Sequence, residues 1–168
     1  PNHSLRARLL ETLALARTGH LEQARQAADA LRRDFPTNTI VQKYGLPLID
    51  GAVKLLSGDA DGAVAIMKTS LNYDLAYTAI VQPLYPAYIR GLAYQRAGQA
   101  SAAAGEFQKV ILRRGLVGRG VIGPLARLQL ARAQASMGDV ASAAGSYQAF
   151  LDLWHDADPD IPLYTAAK

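Results

Sequence analysis

Residues 88–107 read YIRGLAYQRAGQASAAAGEF, a helix, a glycine turn and a second helix. The turn glycine is Gly98, and five places on stands Ala103; the same step from Gly19, Gly58 and Gly138 lands on Ala24, Ala63 and Ala143. These glycines lie 39, 40 and 40 residues apart. Such a period reads as four copies of one helical hairpin, each burying its apolar face against its neighbours. Two helices joined by a tight turn approach most closely just beyond it, and alanine there permits an axis separation of ~8 Å.

Outward from that hairpin, Leu5, Leu9, Leu13 and Ala16 repeat at helical spacing up to Gly19, and Leu21, Ala24, Ala28, Leu31 and Phe35 continue the pattern to Pro36. The second hairpin is less regular. Ile49, Val53 and Leu56 form a stripe, but Pro47 removes a backbone donor, so a kink or restart is expected near Leu46. Its return helix is expected from Ala60 to about Leu71, with Ala63, Met67 and Ser70 inward. Residues 72–83 lack a period, although Ala76–Val81 could add a helical turn. Pro83 and Pro86 suit the first turn of the fifth helix. The sixth presents Ala103, Phe107 and Val110 and ends near Arg113–Gly115. A glycine-rich link then leads to Pro124, where the seventh helix opens and runs to about Met137. Val140, Ala143, Tyr147, Phe150 and Trp154 are the expected buried stripe of the eighth. The chain is thus read as one all-α domain, 1–168, with hairpins at about 4–36, 38–71, 84–114 and 124–155. In the tail, 156–168, Pro162 opens a truncated ninth helix that would cover the eighth.

Half the residues are hydrophobic and 19% are charged, with no clustered alternation of β-branched residues. The net charge of +4 is modest and its arginines are read as mixed with acids, so neither a nucleic-acid nor a membrane field is expected. No apolar run approaches the ~20 residues of a membrane span, and no signal-peptide core is present. The absence of cysteine removes disulfides and thiolate metal sites but leaves the compartment open, with the cytoplasm slightly favoured. Beginning on Pro1 and stopping at TAAK, the sequence reads as a piece of a longer one.

The segments GLAYQRAGQASAAAGEFQKV and LARAQASMGDVASAAGSYQAFL resemble the tetratricopeptide repeat. In that family a small residue in the first helix is followed three places on by an aromatic, then a Gly-Asp turn, then alanine and an aromatic in the second helix. Gly91, Tyr94, Gly98, Ala103 and Phe107 match, as do Ala131, Gly138, Asp139, Ala143 and Tyr147. Thr12 and Lys54 depart from the pattern, and the period of about 40 exceeds the family's 34, which longer links would supply. The resemblance implies a right-handed superhelix that binds proteins. A narrower one covers residues 84–162, through LYPAYIRGLAYQRAGQ, EFQKVILRRGLVG, IGPLARLQLARA and YQAFLDLWHDADPDIP. These are similar to the carboxy-terminal repeat region of large bacterial, especially acidobacterial, serine/threonine protein kinases and related signalling regulators. No kinase motif lies in this chain, so the resemblance implies a sensory or scaffolding appendage to a catalytic domain upstream.

Catalysis and cofactors find little support in the residues. His3, His20 and His155 are scattered, and Asp156, Asp158 and Asp160 alternate without the glycine and glutamate of a calcium loop. GRGVIG at 118–123 spells a phosphate-binding pattern without the strand and acid that belong with it, and is read as an inter-hairpin link. No metal or cofactor is expected, and no enzyme activity within this segment. The first helix of each hairpin would face the inside of a curved array. Leu9, Leu13, Leu48, Ala52, Leu56, Leu125 and Leu128 supply apolar positions there, and Arg17, Tyr85, Tyr88, Leu92, Gln95, Arg96 and Arg132 are the candidate partner-binding residues. A protein or peptide with acidic side chains would suit such a groove. The lysine and asparagine clamp that some of these repeats use on a chaperone's terminal carboxylate is absent, since Leu9, Leu13 and Ile49 stand in its place. Pairing of two copies through open array ends, or sensing of a small molecule by Tyr85, Tyr88 and neighbouring arginines, are the alternatives.

Overall fold

The computed structural model describes residues 4–76, 78, 80–118, 120–158 and 160–167, and among these it is helical without a strand. Eight longer helices form four hairpins: α1 (Leu5–Arg17) with α2 (Leu21–Asp34), α3 (Leu46–Leu56) with α4 (Ala60–Lys68), α5 (Tyr85–Arg96) with α6 (Ala100–Leu112), and α8 (Ile122–Ser136) with α9 (Val140–Leu153). A single turn, α7 (Arg114–Val117), lies between α6 and α8, and another, α10 (Pro162–Thr165), follows α9.

The four turns share one backbone design. Gly19, Gly58, Gly98 and Gly138 have φ of +87°, +86°, +73° and +79°, a left-handed conformation that glycine adopts without a Cβ penalty. In each turn the next residue's N–H reaches back five places: His20 to Leu15 O, Asp59 to Lys54 O, Gln99 to Tyr94 O and Asp139 to Gln134 O, at 2.9–3.0 Å. The alanines five past the glycines are all buried, as are Ala28, Met67 and Phe107 nine past and Leu31, Ser70, Val110 and Phe150 twelve past. Seven places before the glycines stand Thr12, Gly51, Gly91 and Ala131. A Cβ on Gly91 would lie 2.6 Å from the Phe107 ring, and one on Gly51 would lie 2.5 Å from Met67 Sδ. The large residue of the second helix therefore sits where the first helix has no side chain, and Thr12, opposite the small Ala28, fits the same rule.

Several expectations are corrected. The interruption expected near Leu46 takes the form of a change of helix type there, since α3 begins at Leu46. Residues Val41–Gly45 form a π-helical stretch that runs straight into α3, and Leu46 N–H bonds to Val41 O. Widening the spiral there accommodates the donor that Pro47 lacks. α4 stops at Lys68 rather than Leu71, and Leu71–Tyr73 make one 3₁₀ turn. The described part of Ala76–Val81 is not helical, and Tyr77 and Ala79 lie outside the described residues. α8 begins at Ile122, two places before Pro124, and the supposed plain link before it contains α7. Leu56 and Val140, expected in buried stripes, are exposed beside their turns.

Each hairpin packs on the next: α2 and α1 on α3, α4 and α3 on α5, α6 and α5 on α8. At the end of the series Leu163 and Ala167 close over Leu128 and Phe150, with Trp154 beside them. From the tail, Leu163 of the single turn α10 and Ala167 beyond it join this cluster.

Candidate interaction face

Because α1 packs on α3, α3 on α5 and α5 on α8, the first helices form one row, and side chains from distant parts of the chain meet along it. Its centre is Tyr88. The ring is buried, packed 6.4 Å from the Tyr85 ring and 6.0 Å from Phe107. Burial pushes the Tyr88 hydroxyl above its ordinary value, while Arg17 of α1, a hydrogen bond with Gln129 and the charge of Arg132 on α8 pull it back. The first and fourth hairpins therefore both act on this hydroxyl of the third, Gln129 by a hydrogen bond and the two arginines by their charge.

Of the candidate residues, Arg17, Tyr85, Tyr88 and Arg132 come together in this group. Leu92 is half-buried against the core and Gln95 is half-buried farther along α5. Arg96 is exposed at the end of α5, outside the Tyr88 group. Leu9, Leu13, Leu48, Ala52 and Leu128 are buried, so they hold hairpins together rather than anchor a partner. Gln129 escaped the sequence reading; its place one residue after the buried Leu128 was the available signal. Among the described residues Arg17 and Arg132 make no ion pair, whereas Arg8, Arg25, Arg32 and Arg90 all do.

A second polar feature went wholly unread. Arg90, fully buried on α5, grips Asp74 with both terminal nitrogens, at 3.2 and 2.6 Å, and Glu106 of α6 at 2.7 Å. Lys109 adds a bond to Glu106 at 2.8 Å. Burial opposes the arginine's charge, but the two carboxylates outweigh it and hold its pKa above the ordinary value. This network ties the irregular link after α4 to the third hairpin.

In the glycine pattern at 118–123 the three glycine amides are already engaged. The amide of Gly118 bonds to Arg114 O, that of Gly120 to Val117 O and that of Gly123 to Gly120 O, leaving none of the three for a ligand. No group of three or more histidines and acids that could hold a metal occurs among the described residues, and no helix there is long and apolar enough to cross a membrane. Comparison of the chain with protein-family models, curated proteins and solved structures gave no match.

Proposed function

We propose that this chain is a protein-interaction or scaffolding module, a tetratricopeptide-like array of four hairpins in a right-handed superhelix that holds a partner segment across its row of first helices. The observation that carries the reading is the packing of α1, α3, α5 and α8 into one row, on which Arg17 and Arg132 both act on the Tyr88 hydroxyl through their charge and, among the described residues, make no ion pair. The wider row agrees. α1, α3, α5 and α8 hold eight bases and two acids, Glu11 and Asp50, and α5 and α8 have no acid at all. A partner with acidic side chains complements that field. Its exposed or half-exposed contacts would be Arg17, Tyr85, Gln95, Arg96 and Arg132.

The repeated turns and hairpin-on-hairpin packing support the array. The likeness of residues 84–162 to bacterial kinase repeat regions supports a regulatory role beside a signalling kinase or regulator, and rests on sequence alone. Pairing through an open carboxy-terminal end has less support, since Leu163 and Ala167 already cover Phe150.

Selection from a random peptide library tests the proposal. Bound peptides should be rich in Asp and Glu, and Arg17→Glu with Arg132→Glu should abolish capture while leaving the melting temperature unchanged. Selection of acid-free peptides, or undiminished capture by the variant, would overturn it.

A further inference from the structure

The overall charge of +4 conceals a division along the chain. Residues 1–74 hold nine bases and eight acids, residues 75–138 hold eight bases and one acid, and residues 139–168 hold one base and five acids, giving +1, +7 and −4. The single acid of the middle part is Glu106, already engaged by Arg90 and Lys109. From Phe107 to Gly138 there are six bases and no acid. Counting charge over the whole chain, as if arginines and acids were evenly mixed, misses this block.

The centre of the block is the bend from α6 through α7 to α8, at the helix ends away from the glycine turns. Leu112, Leu116 and Val121 project there with 79%, 49% and 66% of their surfaces exposed. Arg113 and Arg114 stand between them, and neither makes an ion pair among the described residues. Beside α7 a cleft of about 330 Å³ has Val110, Val117 and Leu153 in its walls and Arg114 and Arg127 at hand. A neighbouring cleft of about 520 Å³ reaches α7 through Leu116 and adds Arg6 and Ile80. Residues 108–146 themselves contain no aromatic side chain on which a single-stranded nucleic acid could stack. Projecting aliphatic groups interleaved with unpaired guanidiniums suit a lipid interface instead, where the former enter the acyl boundary and the latter remain among phosphates.

We propose that Leu112, Leu116 and Val121, with Arg113 and Arg114, dock this protein on the surface of an anionic lipid bilayer. This goes beyond the peptide-binding reading and uses a different part of the molecule. The acidic turn after α9, with Asp156, adjoins the first cleft through Leu153. Its charge opposes docking.

Sedimentation with phosphatidylcholine vesicles, with and without about a third phosphatidylglycerol, tests it at low salt. The whole chain should partition only onto the anionic vesicles. R113E/R114E should weaken partition by about tenfold or more, and L112S/V121S by about tenfold, both without altering the melting temperature, because these side chains are exposed. D156N/D158N should strengthen it. R17E, outside the basic block, should weaken it far less than R113E/R114E does, which separates this result from failure of the peptide-binding reading. Absence of partition, adsorption indifferent to Leu112 and Val121, or binding of a homopolymeric RNA in place of vesicles would each overturn the proposal.

Discussion

Arg90 is enclosed completely, and its position explains how a link without regular structure is held. Asp74, its main partner, also accepts a bond at 2.7 Å from Leu84 N–H through its backbone carbonyl. Leu84 itself is buried with a left-handed φ of 66°, a conformation costing a non-glycine residue ~1–2 kcal/mol. The link can hold that conformation only because its two ends are fixed, one by Asp74 and the other by α5. Removing the arginine alone leaves two carboxylates in a site built for a cation. Arg90→Met should therefore cost about 3–5 kcal/mol in urea denaturation. Adding Asp74→Asn and Glu106→Gln should recover a large part, and a cost under about 1 kcal/mol for Arg90→Met would show that the network does not fix the link. None of this was legible in the sequence, where Arg90 looks like any helical arginine and Asp74 stands 16 residues away across an aperiodic stretch. The alanines and glycines were legible for the opposite reason: each acts within its own hairpin, at fixed spacing, four times over.

The helices that follow the four turns begin alike in backbone but not in side chain. Asp59 accepts the N–H of Gly62 at 2.9 Å and Asp139 that of Ser142 at 3.1 Å, whereas His20 and Gln99 make no side-chain cap. Asp59 is held below the ordinary carboxylate value of 3.8 by Lys54 and then by Gly62 N–H, and Asp139 by the Ser142 side chain and then its N–H. A carboxylate depressed in the folded state contributes stability that is complete above 3.8 and lost as pH falls through the folded values. Asp50 runs the other way: burial raises it, against the pull of Arg32, so its contribution grows as pH falls towards 3.8. Asparagine caps as well as aspartate but does not titrate. Asp59→Asn with Asp139→Asn should therefore leave the neutral-pH melting temperature nearly unchanged and flatten its fall below about pH 4. A slope identical to that of the wild type would remove the caps from the acid response. The π-helical entry to α3 shows what periodicity leaves out. Pro47 announced an interruption, but its resolution by a wider spiral rather than a break depends on the burial of Val41 and Tyr44, which fix the incoming chain.

Across the whole molecule, contacts run from each hairpin to the next, and the fourth meets the rest through α5 and α6. Stability in such an arrangement is close to a sum of hairpin terms and nearest-neighbour interfaces, so damage at one end need not travel to the other. The chain carries its own reporter. Trp154, the only tryptophan, lies 4.9 Å from the Phe150 ring in the last hairpin, within the cluster that joins α8, α9 and the tail. Phe150→Ala should remove about 3–5 kcal/mol there, leaving the main core through Phe107, Leu48 and Leu31 intact. Tryptophan fluorescence should then report unfolding at clearly lower urea than the loss of helical circular dichroism, which should resolve into two steps. In the wild type the probes should lie closer together, since Phe150 is fully buried at the joint. If both transitions of the variant instead shift together, the four hairpins unfold as one cooperative body, and the fourth hairpin's interface with α5 and α6 must then be stronger than the side chain at its own centre.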